Sequence, residues 1–135
     1  MADTTPTPTT TTKKKKAKRT IAQGQVHILA TFNNTIITFT DNNGSALTAA
    51  SAGSCGFRGS KKGTAYASQV AAEKAGHAAK QLHGFSKADV FVKGVGLGRD
   101  AAIRAIGNLD IHVESMKDVT GIAHGGTRPR KARRI

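Results

Sequence analysis

Alternating apolar and polar positions predict that the folded part of this chain opens with three β-strands. In residues 26–32 every second residue is apolar, the last of them Phe32, and a period of two is typical of a half-buried strand. Residues 35–40 are β-branched or aromatic throughout, and residues 45–50 form a third candidate strand. The Asn-Gly pair at residues 43–44 is a strong hairpin signal. We therefore predict a three-strand antiparallel meander.

After a glycine-rich stretch the pattern changes to that of a helix. Thr64 is a plausible N-cap, the helical pattern continues to His83, and Gly84 stands where a left-handed C-cap belongs. The apolar side of this helix consists mostly of small residues, so we expect it to lie close on the sheet. Its predicted members are Ala67, Val70, Ala71, Ala75, Ala78 and Leu82.

Two more strands and a short helix complete the predicted fold. Residues 88–92 form a fourth strand and residues 99–106 a second helix that ends at residues 107–108. A fifth strand is marked by Ile111, Val113 and Met116. The order predicts a single α/β domain with a mixed five-stranded sheet, in which the meander is followed by crossover strands and helices pack on the sheet.

This topology predicts where a ligand binds. Right-handed crossovers lay strands four and five parallel to strands one and three. The carboxyl ends of strands three, four and five then share one edge of the sheet. Ligands of α/β sheets bind beyond such ends, so we expect the binding face there.

The charge of the chain is concentrated at its two ends. The formal net charge is +13, yet residues 21–127 are nearly balanced. We predict a disordered Thr/Lys-rich arm at residues 1–20, an α/β RNA-binding domain at 21–120 and a basic tail at 121–135. Cationic ends on a balanced body indicate arms that neutralise phosphates.

Composition narrows the class of protein. The single cysteine, Cys55, permits no intramolecular disulfide, and we expect a cytoplasmic protein without a signal peptide or a membrane span. Only 4% of the residues are aromatic. This argues against a surface built on stacked bases, so phosphate contacts and shape should dominate any RNA binding.

Two glycine-rich loops carry candidate RNA contacts. Residues 53–63 are too rich in glycine to predict regular structure, and they carry three of the candidate cations. Residues 93–99 open a helix, where free backbone N–H groups suit a phosphate and glycines let a backbone come close. A solvated surface loop and a plain strand-to-helix turn are the alternative interpretations. The candidates are Arg58, Lys61, Lys62, Lys93, Gly94, Gly96, Gly98 and Arg99.

Enzymatic chemistry finds little support in the residues. The histidines lack metal-ligand spacing, Cys55 fits a packed thiol, and the aspartates are scattered, whereas two-metal catalysis needs clustered carboxylates. We predict no enzyme, no cofactor, no metal and no small-molecule substrate. The alternatives are a free RNA-binding chaperone or nuclease-like remodelling protein, and a basic scaffold that binds only proteins.

Six segments taken in order resemble the bacterial type of small-subunit ribosomal protein eleven. They are SAG at 51–53, GFRGSKK at 56–62, QVAAE at 69–73, VKGVGLGR at 92–99, AIRA at 102–105 and DVT at 118–120. The resemblance implies a structural protein of the small-subunit platform that binds ribosomal RNA. It also implies messenger RNA nearby, ribosomal proteins six, eighteen and twenty-one as neighbours, and a ribonuclease H-like sheet without catalytic acids.

The resemblance extends into the tail with some departures. His124, Arg128, Pro129 and Lys131 match the family pattern, which implies RNA contacts there, and charge adds Arg130, Arg133 and Arg134. Val95 stands where the family usually has proline, and Gly125 stands where it usually has asparagine. We expect the tail to differ most from the relatives in its contacts.

Overall fold

The computed structural model describes residues 20–135, so the predictions for residues 1–19 lie outside it. It contains five strands, two α-helices and one 3-10 helix. In chain order these are β1 (Gln23–Ala30), β2 (Thr35–Thr40), β3 (Ala46–Ser51), the 3-10 helix (Gly59–Gly63), α1 (Ala65–His83), β4 (Lys87–Lys93), α2 (Arg99–Asn108) and β5 (His112–Asp118).

The predicted mixed sheet is confirmed. Its strand order is β3-β2-β1-β4-β5. The first three strands pair antiparallel as a meander, and β4 pairs parallel with both β1 and β5. Strands β1, β3, β4 and β5 therefore end at the same side of the sheet, which we call the carboxyl edge.

Both helices pack on one face of this sheet. Helix α1 lies against β2, β3 and α2, and α2 approaches β1. The side chains that point toward the helices are buried, among them Val26, Ile28 and Phe39. His27 and Leu29, which flank Ile28 in β1, are exposed, and the His27 ring stacks on Phe91 with centroids 5.2 Å apart. The sheet thus has one core face and one open face.

Small residues let α1 lie close on the sheet, as predicted, but its buried face differs from the predicted one. Ala67, Ala71, Ala75 and Ala79 are buried at a spacing of four. The first three of these were predicted, and residues 68, 72 and 76 are buried in addition because α1 packs against α2 as well as the sheet. Of the other predicted positions, Val70 and Ala78 are half-buried and Leu82 is exposed.

The predicted ends of α1 are confirmed. The Thr64 side chain accepts a hydrogen bond from the N–H of Ala67, as an N-cap residue does. Gly84 adopts the left-handed conformation with φ 63° and donates its N–H to the carbonyl of Lys80. The hairpin turn at residues 41–45 is also present, with the Asp41 carboxylate accepting from two backbone N–H groups.

The first strand ends earlier than predicted, whereas the last strand and the second helix lie where they were predicted. Phe32 is exposed because β1 ends at Ala30, and Thr31 turns the chain by donating its N–H to the Asn34 carbonyl. Met116 lies in β5, as predicted. Its side chain is exposed because β5 is an edge strand whose register with β4 shifts after Ala88. Helix α2 ends at Asn108, within its predicted end at residues 107–108.

The loop at residues 53–63 is more regular than predicted. Its second half forms the 3-10 helix, and its first half closes with hydrogen bonds from the N–H of Cys55 and of Phe57 to the Ala52 carbonyl. The Cys55 side chain is half-buried and packs against the core, which confirms the packed thiol. Within residues 20–135 no helix has the length and apolar character needed to cross a membrane.

One buried hydrogen bond ties the sheet to α1. The hydroxyl oxygens of Thr35, at the start of β2, and Ser68, in the first turns of α1, lie 2.6 Å apart. Both residues are almost fully buried. Ser68 also donates its hydroxyl to the Thr64 carbonyl at 3.3 Å. Neither hydroxyl can turn to water, so the Thr35 hydroxyl depends on Ser68 for its hydrogen bond in the core.

We predict that Ser68→Ala lowers the free energy of unfolding by about 1–3 kcal/mol, because it leaves the Thr35 hydroxyl buried with no side-chain partner. Urea denaturation followed by circular dichroism measures the change. The double variant Thr35→Val/Ser68→Ala removes both hydroxyls and should recover part of the loss. Equal stability of Ser68→Ala and the wild type would contradict the assigned role.

Candidate RNA-binding surface

Four segments meet at the carboxyl edge, one more than the sequence predicts. Residues 52–63 follow β3, residues 94–98 follow β4, and the tail follows β5. The structure adds the β1–β2 turn at residues 31–34, which lies between the first two. The α-hydrogens of Gly63 and Gly96 face the carbonyls of Phe32 and Thr31, respectively.

The two glycine-rich loops of this edge carry only positive charge. The turn at 31–34 is uncharged, while the segments 52–66 and 93–99 contain five cations and no carboxylate. Three of these cationic residues are exposed and two are half-buried. The five are Arg58, Lys61, Lys62, Lys93 and Arg99. An anionic partner would meet no repulsion from the residues of these loops.

The Arg58 side chain folds back on its own loop. Its Nη1 donates to the Gly53 carbonyl at 2.8 Å. This bond holds the first half of the loop against the start of the 3-10 helix. Lys61 and Lys62 lie in the last turn of that helix. All three predicted cations of this loop thus stand on an ordered backbone at the carboxyl edge.

The glycines of the 94–98 loop face the protein's own backbone and side chains. A Cβ atom on Gly94 would collide with the Ala30 carbonyl, and one on Gly96 with the Thr31 carbonyl. A Cβ on Gly98 would collide with the hydroxyls of Ser68 and Thr35. Close packing inside the chain therefore explains the three glycines, and the close approach of RNA to them remains a prediction.

This packing determines which residues of the loop are exposed to solvent. Gly96 donates its N–H to the Ala30 carbonyl at 3.0 Å, which holds the loop on the end of β1. Gly96 and Gly98 are buried, and the residues between and before them are exposed: Lys93, Val95 and Leu97. Alternate residues of the loop thus point to solvent.

Arg99 joins the loop to the root of the tail. Its Nη1 donates to the Gly94 carbonyl at 2.9 Å, and its Nη2 donates to the Asp118 carboxylate at 3.0 Å. The Thr120 hydroxyl accepts the Gly94 N–H at 3.1 Å and donates to the same Asp118 carboxylate. Thr120 was not predicted as a site residue, although it ends the DVT motif at residues 118–120.

These contacts lower the pKa of Asp118 from 3.8 to about 2. The hydrogen bond from the Thr120 side chain is the largest cause, followed by that from the Thr120 backbone and then by Arg99. Hydrogen bonds to a carboxylate favour its charged form. Asp118 is therefore an anion at any physiological pH and keeps Arg99 paired.

The tail leaves the carboxyl edge at a fixed point and then stands in solvent. Val119 donates its N–H to the Val92 carbonyl at 2.8 Å, which continues the pairing of β5 with β4. Every residue from 121 to 135 is exposed. The predicted tail contacts are thus accessible, and they are His124, Arg128, Arg130, Lys131, Arg133 and Arg134.

The part of the chain from residue 20 onward contains no group of three or more histidine, cysteine or acidic side chains that could hold a metal ion. The acidic residues near β4 and β5 have other partners. Asp89 accepts a hydrogen bond from Ser115 at 2.8 Å, and Glu114 accepts one from Gln23 at 2.8 Å. Both carboxylates are thus engaged in hydrogen bonds that connect strands of the sheet.

The family of this chain is decided by comparison with known proteins. A family model described as Ribosomal protein S11 matches residues 24–134. The chain belongs to the ribosomal protein S11 family. This confirms the resemblance found in the sequence, and the S11 match extends from β1 through the carboxyl edge into the tail.

Individual members of the S11 family are similar to this chain over most of its length and most of their own. The chain is 53% identical over 119 residues to the small ribosomal subunit protein uS11 of Pseudoalteromonas atlantica, which covers 88% of this chain and 91% of the relative. It is 52% identical over 118 residues to uS11 of Cellvibrio japonicus, covering 87% and 89%. The same identity over 118 residues is found with uS11 of Caldicellulosiruptor saccharolyticus, covering 87% and 90%.

We predict that Gly96→Ala lowers the free energy of unfolding by about 1–3 kcal/mol, because its methyl group would collide with the Thr31 carbonyl. The matched control is Gly107→Ala in α2, where a Cβ meets nothing within 4 Å. That variant should be neutral or more stable by up to about 1 kcal/mol, since alanine favours the helix. Thermal or urea unfolding without RNA separates the two. Equal effects would mean that the loop is not packed as described.

We predict that Thr120→Ala raises the pKa of Asp118 from about 2 toward 3.8, because the largest cause of its lowering is removed. A ¹³C NMR titration of the carboxyl group measures this value, and Thr127→Ala in the exposed tail is the control. The pKa is lowered by folding, so the stabilisation from Asp118 is present above pH 3.8 and is lost as the pH falls toward 2. If the pKa of Asp118 in Thr120→Ala equals that of the wild type, the contact between Thr120 and Asp118 is refuted.

Proposed function

We propose that this protein is a structural constituent of the small ribosomal subunit and binds ribosomal RNA with its carboxyl edge and basic tail, without chemistry of its own. Membership of the S11 family supports the ribosomal role. The observation that carries the RNA-binding role is the meeting of two cationic loops and the root of the tail at one edge of the sheet. RNA-binding proteins gain most of their affinity from such contacts with phosphates.

The cations have distinct parts in this proposal. Lys61 and Lys93 are exposed and can each approach a phosphate as a point charge. Arg58 and Arg99 are held by hydrogen bonds to their own loops, yet a guanidinium has five N–H donors and two of those of Arg99 are engaged with Gly94 and Asp118. The remaining donors leave both arginines able to bind phosphate from a fixed position.

The S11 resemblance supports a finer proposal for the position of the protein. We propose a position in the platform, with messenger RNA near the tail and ribosomal proteins six, eighteen and twenty-one as neighbours. The cytoplasmic ribosome is the expected location, in agreement with the bacterial relatives. No cofactor or small-molecule substrate is needed, because positioning RNA requires only charge and shape.

A free RNA-binding chaperone or nuclease-like remodelling protein is the alternative. Co-sedimentation distinguishes the two, because a structural constituent stays with small subunits through a high-salt wash and a free chaperone is released. Cleavage of RNA by the pure protein with a divalent metal would favour the nuclease. A scaffold that binds only proteins would show no salt-dependent binding of RNA.

We predict that deleting residues 128–135, which carry five cations, lowers the slope of log affinity against log salt by about 3–5 units. The measurement is a salt titration of binding to protein-free small-subunit ribosomal RNA. Deletion of residues 4–12, which carry no charge, is the control and should leave the slope unchanged. An unchanged slope in the tail deletion would exclude the tail from phosphate binding.

A further inference from the structure

The carboxyl edge carries apolar side chains in addition to its cations. Phe32, Tyr66, Val95 and Leu97 expose 74%, 65%, 61% and 75% of their surface. In contrast, Phe39 and Phe85 are buried to within 1% and form an edge-to-face pair in the core. The chain therefore buries these two phenylalanines and yet leaves Phe32 in water at the proposed RNA-binding surface.

Backbone packing makes the segments that carry these four residues adjacent, and we call the four exposed residues the apolar cluster. Phe32 lies between Gly63, which faces its carbonyl, and Gly96, which faces the carbonyl of Thr31. Val95 and Leu97 flank Gly96 in the sequence. Tyr66 lies three residues beyond Gly63, and its ring contacts the edge of Phe57 with centroids 5.8 Å apart.

The surroundings of the apolar cluster indicate which partner covers it. Lys93 precedes Val95, Arg99 follows Leu97, and Lys61 and Lys62 lie just before Gly63. No carboxylate occurs in the three segments that form the cluster. Aromatic rings framed by cations are typical of surfaces that bind unpaired nucleobases, because each base arrives with a phosphate beside it.

We propose that the apolar cluster binds unstacked nucleobases of the bound RNA, while the neighbouring cations hold the flanking phosphates. This inference rests on the proposed RNA-binding function and adds base contacts to it. The low aromatic content of the sequence predicts that phosphate contacts and shape dominate the recognition of RNA. Phe32 and Tyr66, the single tyrosine of the chain, are both exposed at this edge. Bases can therefore stack on them although aromatic residues are few.

The test compares two probes of equal charge, a 12-nucleotide oligo(A) and an abasic 12-mer, using the full chain. Phe32→Ala should weaken oligo(A) binding about 5- to 50-fold, because base stacking on an aromatic ring is lost. Binding of the abasic probe and the salt slope should not change. Phe32 is exposed, so the variant should fold as the wild type does.

Two control variants define the effect. Phe91→Ala removes a phenylalanine from the open face of the sheet, and it should bind both probes as the wild type does. Lys93→Ala should weaken binding of both probes and lower the salt slope, because it removes a phosphate contact. This separates base contacts from charge.

A spectroscopic readout follows from composition, since the chain has one tyrosine and no tryptophan. Protein fluorescence therefore reports Tyr66 alone. After correction for absorption by the bases, oligo(A) should quench it and the abasic probe should not.

The outcomes separate this proposal from the proposed function. Normal oligo(A) binding by Phe32→Ala, or an equal loss with both probes, would overturn the base-binding cluster and leave the RNA-binding function in place. Normal oligo(A) binding combined with loss from small subunits would indicate a protein partner at the cluster and would also overturn it. Failure of the wild type to bind either probe would count against both proposals.

Discussion

The approach of the 94–98 loop to the end of β1 is the contact on which the surface depends. Gly94 and Gly96 face the carbonyls of Ala30 and Thr31, and Gly98 faces the Thr35–Ser68 hydrogen bond. Any side chain at these three positions would push the loop off the sheet. Because the loop lies so close to β1, the side chains between the glycines, Val95 and Leu97, point to solvent. The packing of the glycines therefore also determines which side chains the surface exposes.

Hydrogen bonds within the protein hold the two arginines of these loops in place. Backbone carbonyls of the loops accept hydrogen bonds from Arg58 and Arg99, and Asp118 balances Arg99. Fixed arginines lose less conformational entropy when they bind a phosphate than freely moving ones do. The tail from residue 121 onward is exposed, so in the proposed RNA binding we expect its contribution to come mainly from its charge.

The fold was largely predictable because its signals are local. Periodicity, the Asn-Gly turn and the caps Thr64 and Gly84 each depend on neighbouring residues. Errors arose where a distant element decides burial. Phe32 continues the apolar alternation of β1 but lies beyond its last paired residue, and Leu82 lies on α1 outside the contact with the sheet and α2.

For the site, the sequence by itself determined the class of partner, because its excess of cations and its S11 motifs are visible without a structure. It also determined which loops carry those cations. Only the tertiary structure decided what the glycines face, that Arg99 shares its guanidinium with Gly94 and Asp118, and that Phe32 joins Tyr66, Val95 and Leu97 at one edge. The physical reason is that, apart from the Arg99–Gly94 bond, these relations join residues 19 to 65 positions apart. They exist only when the strands pair and bring the ends of β1, β3, β4 and β5 together.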